Sequence, residues 1–279
     1  MNIQQNPIIK RIIDDLVVRY SDNIIAIYGI GSYFDDFIPP DWKRKDLDLI
    51  VIVKSLEGIP KQKWTDIRFK KKQMNGIQIW IGFNTIKAYQ NRDTFNKESF
   101  SNYEWSLIEI KHSNNSKLLY GKDIRNQLPK IDELKFDFND VLARGLYHLD
   151  KSLGEKESEN ATKELSKAIF KIGFYLCIFF DNHYRFTSIF EIGHKLKQIN
   201  NNISVIMHEF FEEAIIYRIT EVFKTNFNEL REKFLSFIIS ALKNGYLHRK
   251  LNHKELIDYF NNTFSGFPNL IQYIGNKIG

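Results

Sequence analysis

The sequence predicts an α+β protein, with a mixed-sheet N-terminal domain over residues 1–129 and an all-α helical bundle over residues 136–279. Three observations lead there. Two β-branched runs, residues 24–28 and 46–53, flank a glycine turn, as buried strands do. Beyond Phe136 the apolar residues recur every three to four positions and strand signals stop. Between the two regions lie Pro129 and the charged stretch 130–135, the composition of a linker.

Asn6-Pro7 has the form of an N-cap followed by proline at the first helical position. Ile8, Ile9, Ile12, Ile13, Leu16, Val17 and Tyr20 then fall on one helix face, and Asp22-Asn23 ends it. Residues 24–28 read as a central strand and Gly29, Ile30, Gly31 and Ser32 as its turn. A loop follows over 33–45, with Pro39-Pro40 and the basic triple Lys43-Arg44-Lys45. The second strand runs over 46–53.

Residues 61–73 are dense in positive charge, with Arg68, Lys70 and Lys72 on one face of an alternating run. Asn75-Gly76 is a hairpin signal, so strands at 65–73 and 77–84 are expected to pair beside the second strand. The basic face reads either as a solvated edge that blocks aggregation or as a surface attracting a triphosphate. A helix is expected near 101–111. In the second domain the pattern gives helices at 138–153, 160–181, 187–198, 203–225, 227–244, 253–263 and 268–276, with Gly, Asn and Pro between them.

The second strand opens with two acids. Side chains alternate along a strand, so Asp46 and Asp48 project on the same side. Such a pair is repulsive without a partner, and a hard divalent cation such as Mg²⁺ suits it. The Gly31-Ser32 turn leaves backbone N–H groups able to approach a phosphate. Metal and phosphate together point to phosphoryl or nucleotidyl transfer.

This order of features, apolar-x-Gly-Ser, a gap of thirteen residues and Asp-x-Asp in an apolar strand, resembles polymerase-beta-type nucleotidyltransferases. The layout is closest to the two-domain antibiotic and small-molecule enzymes of that superfamily. The resemblance covers residues 24–53 and reaches Gly121 loosely, since the Leu-Tyr-Gly segment at 119–121 is similar to the one that closes the catalytic domain in relatives. It implies that Gly31 and Ser32 bind phosphate and that Asp46 and Asp48 hold the metal. ATP would be the co-substrate, and an unidentified hydroxyl of a small molecule or protein the acceptor. Relatives usually add a third carboxylate on a neighbouring strand. Here that strand offers Gln78 or Trp80, and a glutamine cannot act as a base near neutral pH. Glu104, Glu109 or a second subunit of a homodimer could supply the acid.

Other candidates lie in the bundle. Lys167 and Lys171 share one helix face and are candidate phosphate contacts; Arg144 and His148 share another. The segment 208–212 resembles a zinc-protease motif but lacks its second histidine. A helical toxin RNase of the kind that accompanies such domains would carry Arg, four to six residues, then His. Arg144–His148 and Arg249–His253 have gaps of three.

Composition bounds the rest. Net charge is +6 and the pI about 9.1, which suits an anionic nucleotide and argues against nucleic acid as the partner. The single Cys177 excludes an intramolecular disulfide, sits in an apolar run as a buried small hydrophobe, and fits a reducing compartment. The N-terminus lacks the apolar core of a signal peptide, and the run 174–180 is too short for a membrane span. The expectation is a cytoplasmic, magnesium-dependent nucleotidyltransferase with no membrane partner. The alternative is a weakly active or inactive nucleotide-binding regulator, such as a toxin–antitoxin component.

Overall fold

Asn6 starts the first helix by accepting a hydrogen bond from the Ile8 N–H at 3.0 Å, with Pro7 as the first helical residue. The structure, a computed structural model, describes residues 6–44, 46–59, 77–98, 103–112, 114–134, 136, 138–154, 156, 158–185, 188–245 and 266–278. The chain divides into two compact units, Met1–Lys135 and Phe136–Gly279. It is α+β, and among the described residues no helix is long and apolar enough to cross a membrane.

The first unit runs α1 (Pro7–Tyr20), β1 (Ile24–Ile30), β2 (Asp46–Val53), β3 (Gln78–Thr85), α2 (Ile86–Gln90), α3 (Arg92–Glu98), α4 (Tyr103–Lys111) and β4 (Ser116–Gly121). Four strands form one sheet in the order β3-β2-β1-β4. β1 is antiparallel to β2 and β4, whereas β2 is parallel to β3, so the sheet is mixed. Leu49, Ile50, Val51, Ile52 and Val53 of β2 are fully buried. Both faces of the strand are covered, which is why it reads as an unbroken apolar run.

On one face Leu47, Leu49, Val51 and Val53 join Ile79, Ile81 and Phe83 of β3 and Ile9, Ile12 and Leu16 of α1 in a single core. Each of these side chains contributes roughly 1.5–3 kcal/mol on full burial. On the side of β1 and β4 where α4 packs, buried Tyr28 is held at its hydroxyl. The hydroxyl donates to Asp123 Oδ1 at 3.0 Å and accepts from the Ile124 N–H at 2.8 Å. Arg125 lies over the Tyr28 ring and donates to the carbonyls of Ile110 and Ser116, tying the end of α4 to the start of β4.

Several details differ from the sequence expectations. β1 continues through Gly29 to Ile30, so the turn begins two residues later than the glycine pattern suggests. Residues 116–121 form a strand beside β1, although the Ser-Lys-Leu-Leu-Tyr run has no clean alternation. The stretch after β3 holds two short helices, the first capped by the Thr85 hydroxyl on the Ala88 N–H. The expected strand at 65–73, its basic face and the Asn75-Gly76 turn lie outside the described residues; β3 finds a parallel partner in β2.

The second unit is helical: α5 (Phe138–Leu153), α6 (Glu159–Phe180), α7 (Ile189–Gln198), α8 (Asn202–Thr220), α9 (Phe227–Lys243) and α10 (Pro268–Ile278). α6 packs against α5, α7 and α8, and its residues 172–178 are all buried. Ser158, Ser188, Asn201 and Asn226 cap four helix starts through their side chains. α8 stops at Thr220 rather than near 225. Glu221 turns left-handed at φ 65°, and the Glu213 carboxylate accepts from the Lys224 N–H and the Thr225 hydroxyl. Buried Asp150 accepts from the Leu270 N–H at 2.8 Å and so anchors α10 to α5. The helix expected at 253–263 lies outside the described residues.

Gly29 is the tightest point under the turn. A Cβ there would lie 2.3 Å from the ring of Phe34, which is itself fully buried. Gly29→Ala is therefore expected to lower stability by about 1–3 kcal/mol through overpacking. Urea denaturation of the two proteins checks this, and an unchanged midpoint would show that Phe34 can move aside.

Candidate functional site

The site is built where β1 ends and β2 begins. Gly31 opens a single 3-10 turn, Gly31–Tyr33, whose carbonyl accepts from the Phe34 and Asp35 N–H groups. As the first residues of a turn, Ser32 and Tyr33 have no upstream carbonyl in it for their N–H groups. Gly31 has φ +72°, a conformation that costs a side-chain-bearing residue free energy. A Cβ at Gly31 would also sit 3.1 Å from Asp48 Oδ2. The turn and the second acid are thus in direct apposition.

Register fixes the neighbours. Asp48 pairs with Ile30 on one side and Trp80 on the other, and Asp46 pairs with Gln78. Asp46 and Asp48 are half-buried, while Leu47 and Leu49 between and beyond them enter the α1 core. The acids therefore share the face away from α1. Gln78 is exposed at the start of β3, and Trp80 lays its indole over Gly82, where a Cβ would meet the ring at 2.6 Å.

Neither alternative acid joins this row. Glu104 is buried and bridges to Arg92 at 2.9 Å, and Glu109 accepts from the Trp105 indole N–H at 3.0 Å. Among the described residues no group of three or more His, Cys, Asp or Glu is arranged to hold a metal ion. A pair of half-buried carboxylates with oxygen donors only, beside a glycine whose missing Cβ leaves space, still fits Mg²⁺. That ion commonly takes one or two protein carboxylates and completes its shell with water and phosphate.

Two residues matter here that the sequence reading did not single out for this role. Arg44, within the basic triple, folds back on the loop. Its guanidinium donates to the carbonyls of Ser32 at 3.1 Å, Ile38 at 3.0 Å and Pro40 at 3.3 Å. It fixes the loop that carries the Gly-Ser turn. Asp35 accepts from the Phe37 N–H at 2.8 Å. Burial, with help from the charge of Asp36, raises its carboxyl to about 6, against the opposing Phe37 N–H, Arg44 and Lys117. Asn6, Tyr33, Asp35, Asp36, Ile38, Pro40 and Arg44 line a cavity of about 480 Å³ beside the turn. The Asp35-Asp36 doublet and the lone arginine between two lysines were the available signals.

The other sequence candidates belong to the helical unit. Lys167 Nζ lies 3.5 Å from Glu164 Oε1, and the charges of Lys167 and Lys171 both act on His148. His148 Nδ1 lies 2.7 Å from Glu164 Oε2. Burial holds His148 below the usual histidine range, with the Glu164 contact acting the other way. Burial alone would raise Glu164, but the hydrogen bond from His148 and the Lys167 charge more than offset it, giving about 2. His208 pairs with Glu212 one turn along α8, a local contact with no second histidine. His183 and His194 are exposed; His248, Arg249 and His253 lie outside the described residues. Cys177 is buried, and burial pushes its thiol up to about 12, so it is not a nucleophile near neutral pH.

Comparison with known proteins adds no family: no family model matches the chain, and no curated protein matches it.

Arg44 makes its own prediction. Arg44→Ala removes three hydrogen bonds from a cation to carbonyls, and Arg44→Lys cannot reproduce a fork spanning three acceptors. Both variants are expected to destabilise the first unit by roughly 1–3 kcal/mol and to speed amide exchange over 31–44. Hydrogen exchange read by mass spectrometry checks this; wild-type protection of that loop in Arg44→Lys would rule out the fork as its fastener.

Proposed function

We propose that the first unit is a magnesium-dependent nucleotidyltransferase that moves a nucleoside monophosphate, AMP from ATP, onto a hydroxyl of a small molecule or protein. One observation carries this reading: a Cβ on Gly31 would lie only 3.1 Å from Asp48 Oδ2, so no side chain stands between the glycine turn and the acid that this reading makes a metal ligand. The order Gly-Ser then Asp-x-Asp resembles the polymerase-beta-type superfamily, and the mixed sheet with its acids on one face is compatible with it.

In this reading Asp46 and Asp48 hold the cation and Gly31 lets the triphosphate come close to the backbone. Ser32 and Tyr33 turn their N–H groups towards its oxygens, and Arg44 keeps that turn in shape through Ser32. A bound magnesium ion would neutralise the triphosphate and favour in-line attack at the α phosphorus with pyrophosphate leaving. Gln78 pairs with Asp46, and in this reading it takes the place of the third acid. That glutamine favours a second reading, a nucleotide-binding regulator with little or no turnover.

Calorimetry with the four ribonucleoside triphosphates, first with magnesium and then with EDTA, tests the first reading. One triphosphate is expected to bind only with magnesium, and Asp48→Asn is expected to weaken it at least about tenfold, or 1.4 kcal/mol. Equal affinities for wild type and variant would remove Asp48 as a metal ligand. Gln78→Glu separates the two readings. It is expected to raise pyrophosphate release above the wild-type rate, since a carboxylate can accept the hydroxyl proton. An unchanged rate would move the base away from β3.

A further inference from the structure

We propose, resting on the transferase reading above, that the cavity beside the Gly31–Ser32 turn admits a small hydroxyl-bearing acceptor and that Asp35 takes the proton of its hydroxyl. The loop would then do what Gln78 cannot do from β3. At about 480 Å³ the cavity has the size of a small-molecule site, roughly 300–1,000 Å³. It is tied to the turn at three points. Tyr33, the last residue of the turn, lines it. The Asp35 N–H donates to the Gly31 carbonyl at 3.1 Å. Arg44, also on the lining, donates to the Ser32 carbonyl at 3.1 Å. The lining and the proposed phosphate-binding turn are therefore one piece of backbone.

Within that lining Asp35 is the carboxylate with an oxygen to offer. Its Oδ1 accepts from the Phe37 N–H at 2.8 Å, which fixes the group, and among the described residues no hydrogen bond ends on Oδ2. The neighbouring charges are committed. Asp36 pairs with Lys117, and all three nitrogens of the Arg44 guanidinium point to carbonyls. The groups that act on Asp35 are Asp36, the Phe37 N–H and Arg44 from its own loop and Lys117 from β4. Burial dominates and, with Asp36, raises the carboxyl to about 6. Such a group is ionised near neutral pH yet basic enough to draw a proton from a hydroxyl under attack. In the step, the acceptor proton passes to Asp35 Oδ2 while the acceptor oxygen bonds the α phosphorus of ATP. The bond from that phosphorus to its bridging oxygen breaks, and pyrophosphate leaves with the electron pair.

The test uses the full chain with ATP, magnesium and glycerol as the probe hydroxyl. Pyrophosphate release and adenylyl glycerol are followed from about pH 5 to about pH 8, with ATP affinity measured by calorimetry alongside. The wild-type rate is expected to rise through about pH 6 and level off above it, because Asp35 accepts a proton only when ionised. Asp35→Asn is expected to lower the plateau at least about tenfold and to remove the inflection, with ATP affinity unchanged. Asp36→Asn takes away a charge that raises Asp35, so the inflection is expected at lower pH, a shift that a merely structural Asp35 would not produce. Gln78→Glu adds a carboxylate on β3 where Asp35→Asn removes one from the loop, so their effects on the rate are expected to be opposite. ATP binding with no adenylyl glycerol formed, a flat pH profile, equal plateaus in wild type and Asp35→Asn, or loss of ATP affinity in Asp35→Asn would each overturn this proposal and leave the nucleotide site standing. No magnesium-dependent ATP binding by the wild type would overturn both.

Discussion

Asp48 Oδ2 lies 3.1 Å from where a side chain on Gly31 would begin, and the candidate site depends on that approach. It is reached only because β1 and β2 are antiparallel with Ile30 opposite Asp48, so the end of one strand meets the start of the next. The same register sends Leu47 and Leu49 into the α1 core, which pins the strand against slippage. A shift of one residue would exchange those leucines for the acids, burying both charges in an apolar layer. Core packing and site geometry are therefore one constraint, and the positive φ of Gly31 makes the contact possible without strain.

The loop between these strands is organised from within. Phe34 fills the space that Gly29 leaves, so the chain folds back under β1 as soon as the turn is complete. Arg44 then closes the loop from its far end on the carbonyls of Ser32, Ile38 and Pro40. Carbonyls in a loop that fails to pair them internally must be solvated or bonded to a side chain, and the planar fork of the Arg44 guanidinium spans three of them. The neighbouring cavity, with Asp35 raised towards neutrality, is a consequence of the same folding-back.

Much of this was legible in the sequence, and what was not has a physical reason. α1, β2 and most bundle helices announce themselves through caps and apolar spacing. β4 did not, because Leu118, Leu119 and Tyr120 are half-buried or exposed and pair by a shifted register rather than by alternation. The end of α8 was misjudged by about five residues, since an apolar run continues past the left-handed Glu221 that stops the helix. The glycine–acid row could be named from spacing alone. Arg44 could not, because a basic triple in a proline loop looks the same whether its arginine faces solvent or three carbonyls. Lys167 and Lys171 were legible as a pair, but not the His148–Glu164 contact beside them, which joins residues from two helices.

β3 shows what stands beside the acid row, where the proposed reading would look for a third acid. Trp80, opposite Asp48, covers Gly82 with its indole and closes the sheet face beyond the acid row. Gln78, opposite Asp46 and exposed, is then the β3 residue on that face at which a carboxylate could stand in line with the pair. Two unit charges 4 Å apart repel by about 1 kcal/mol in water and by several-fold more at a half-buried site. A third carboxylate would add to that cost whenever no cation is bound. A neutral amide there spares Asp46 and Asp48 that added repulsion, and on the proposed reading it would do so at the expense of a base on β3 beside the acceptor hydroxyl. On the proposed reading, the identity of residue 78 would set the balance between binding a nucleotide and turning it over, while Gly31, Asp46 and Asp48 would govern whether it binds.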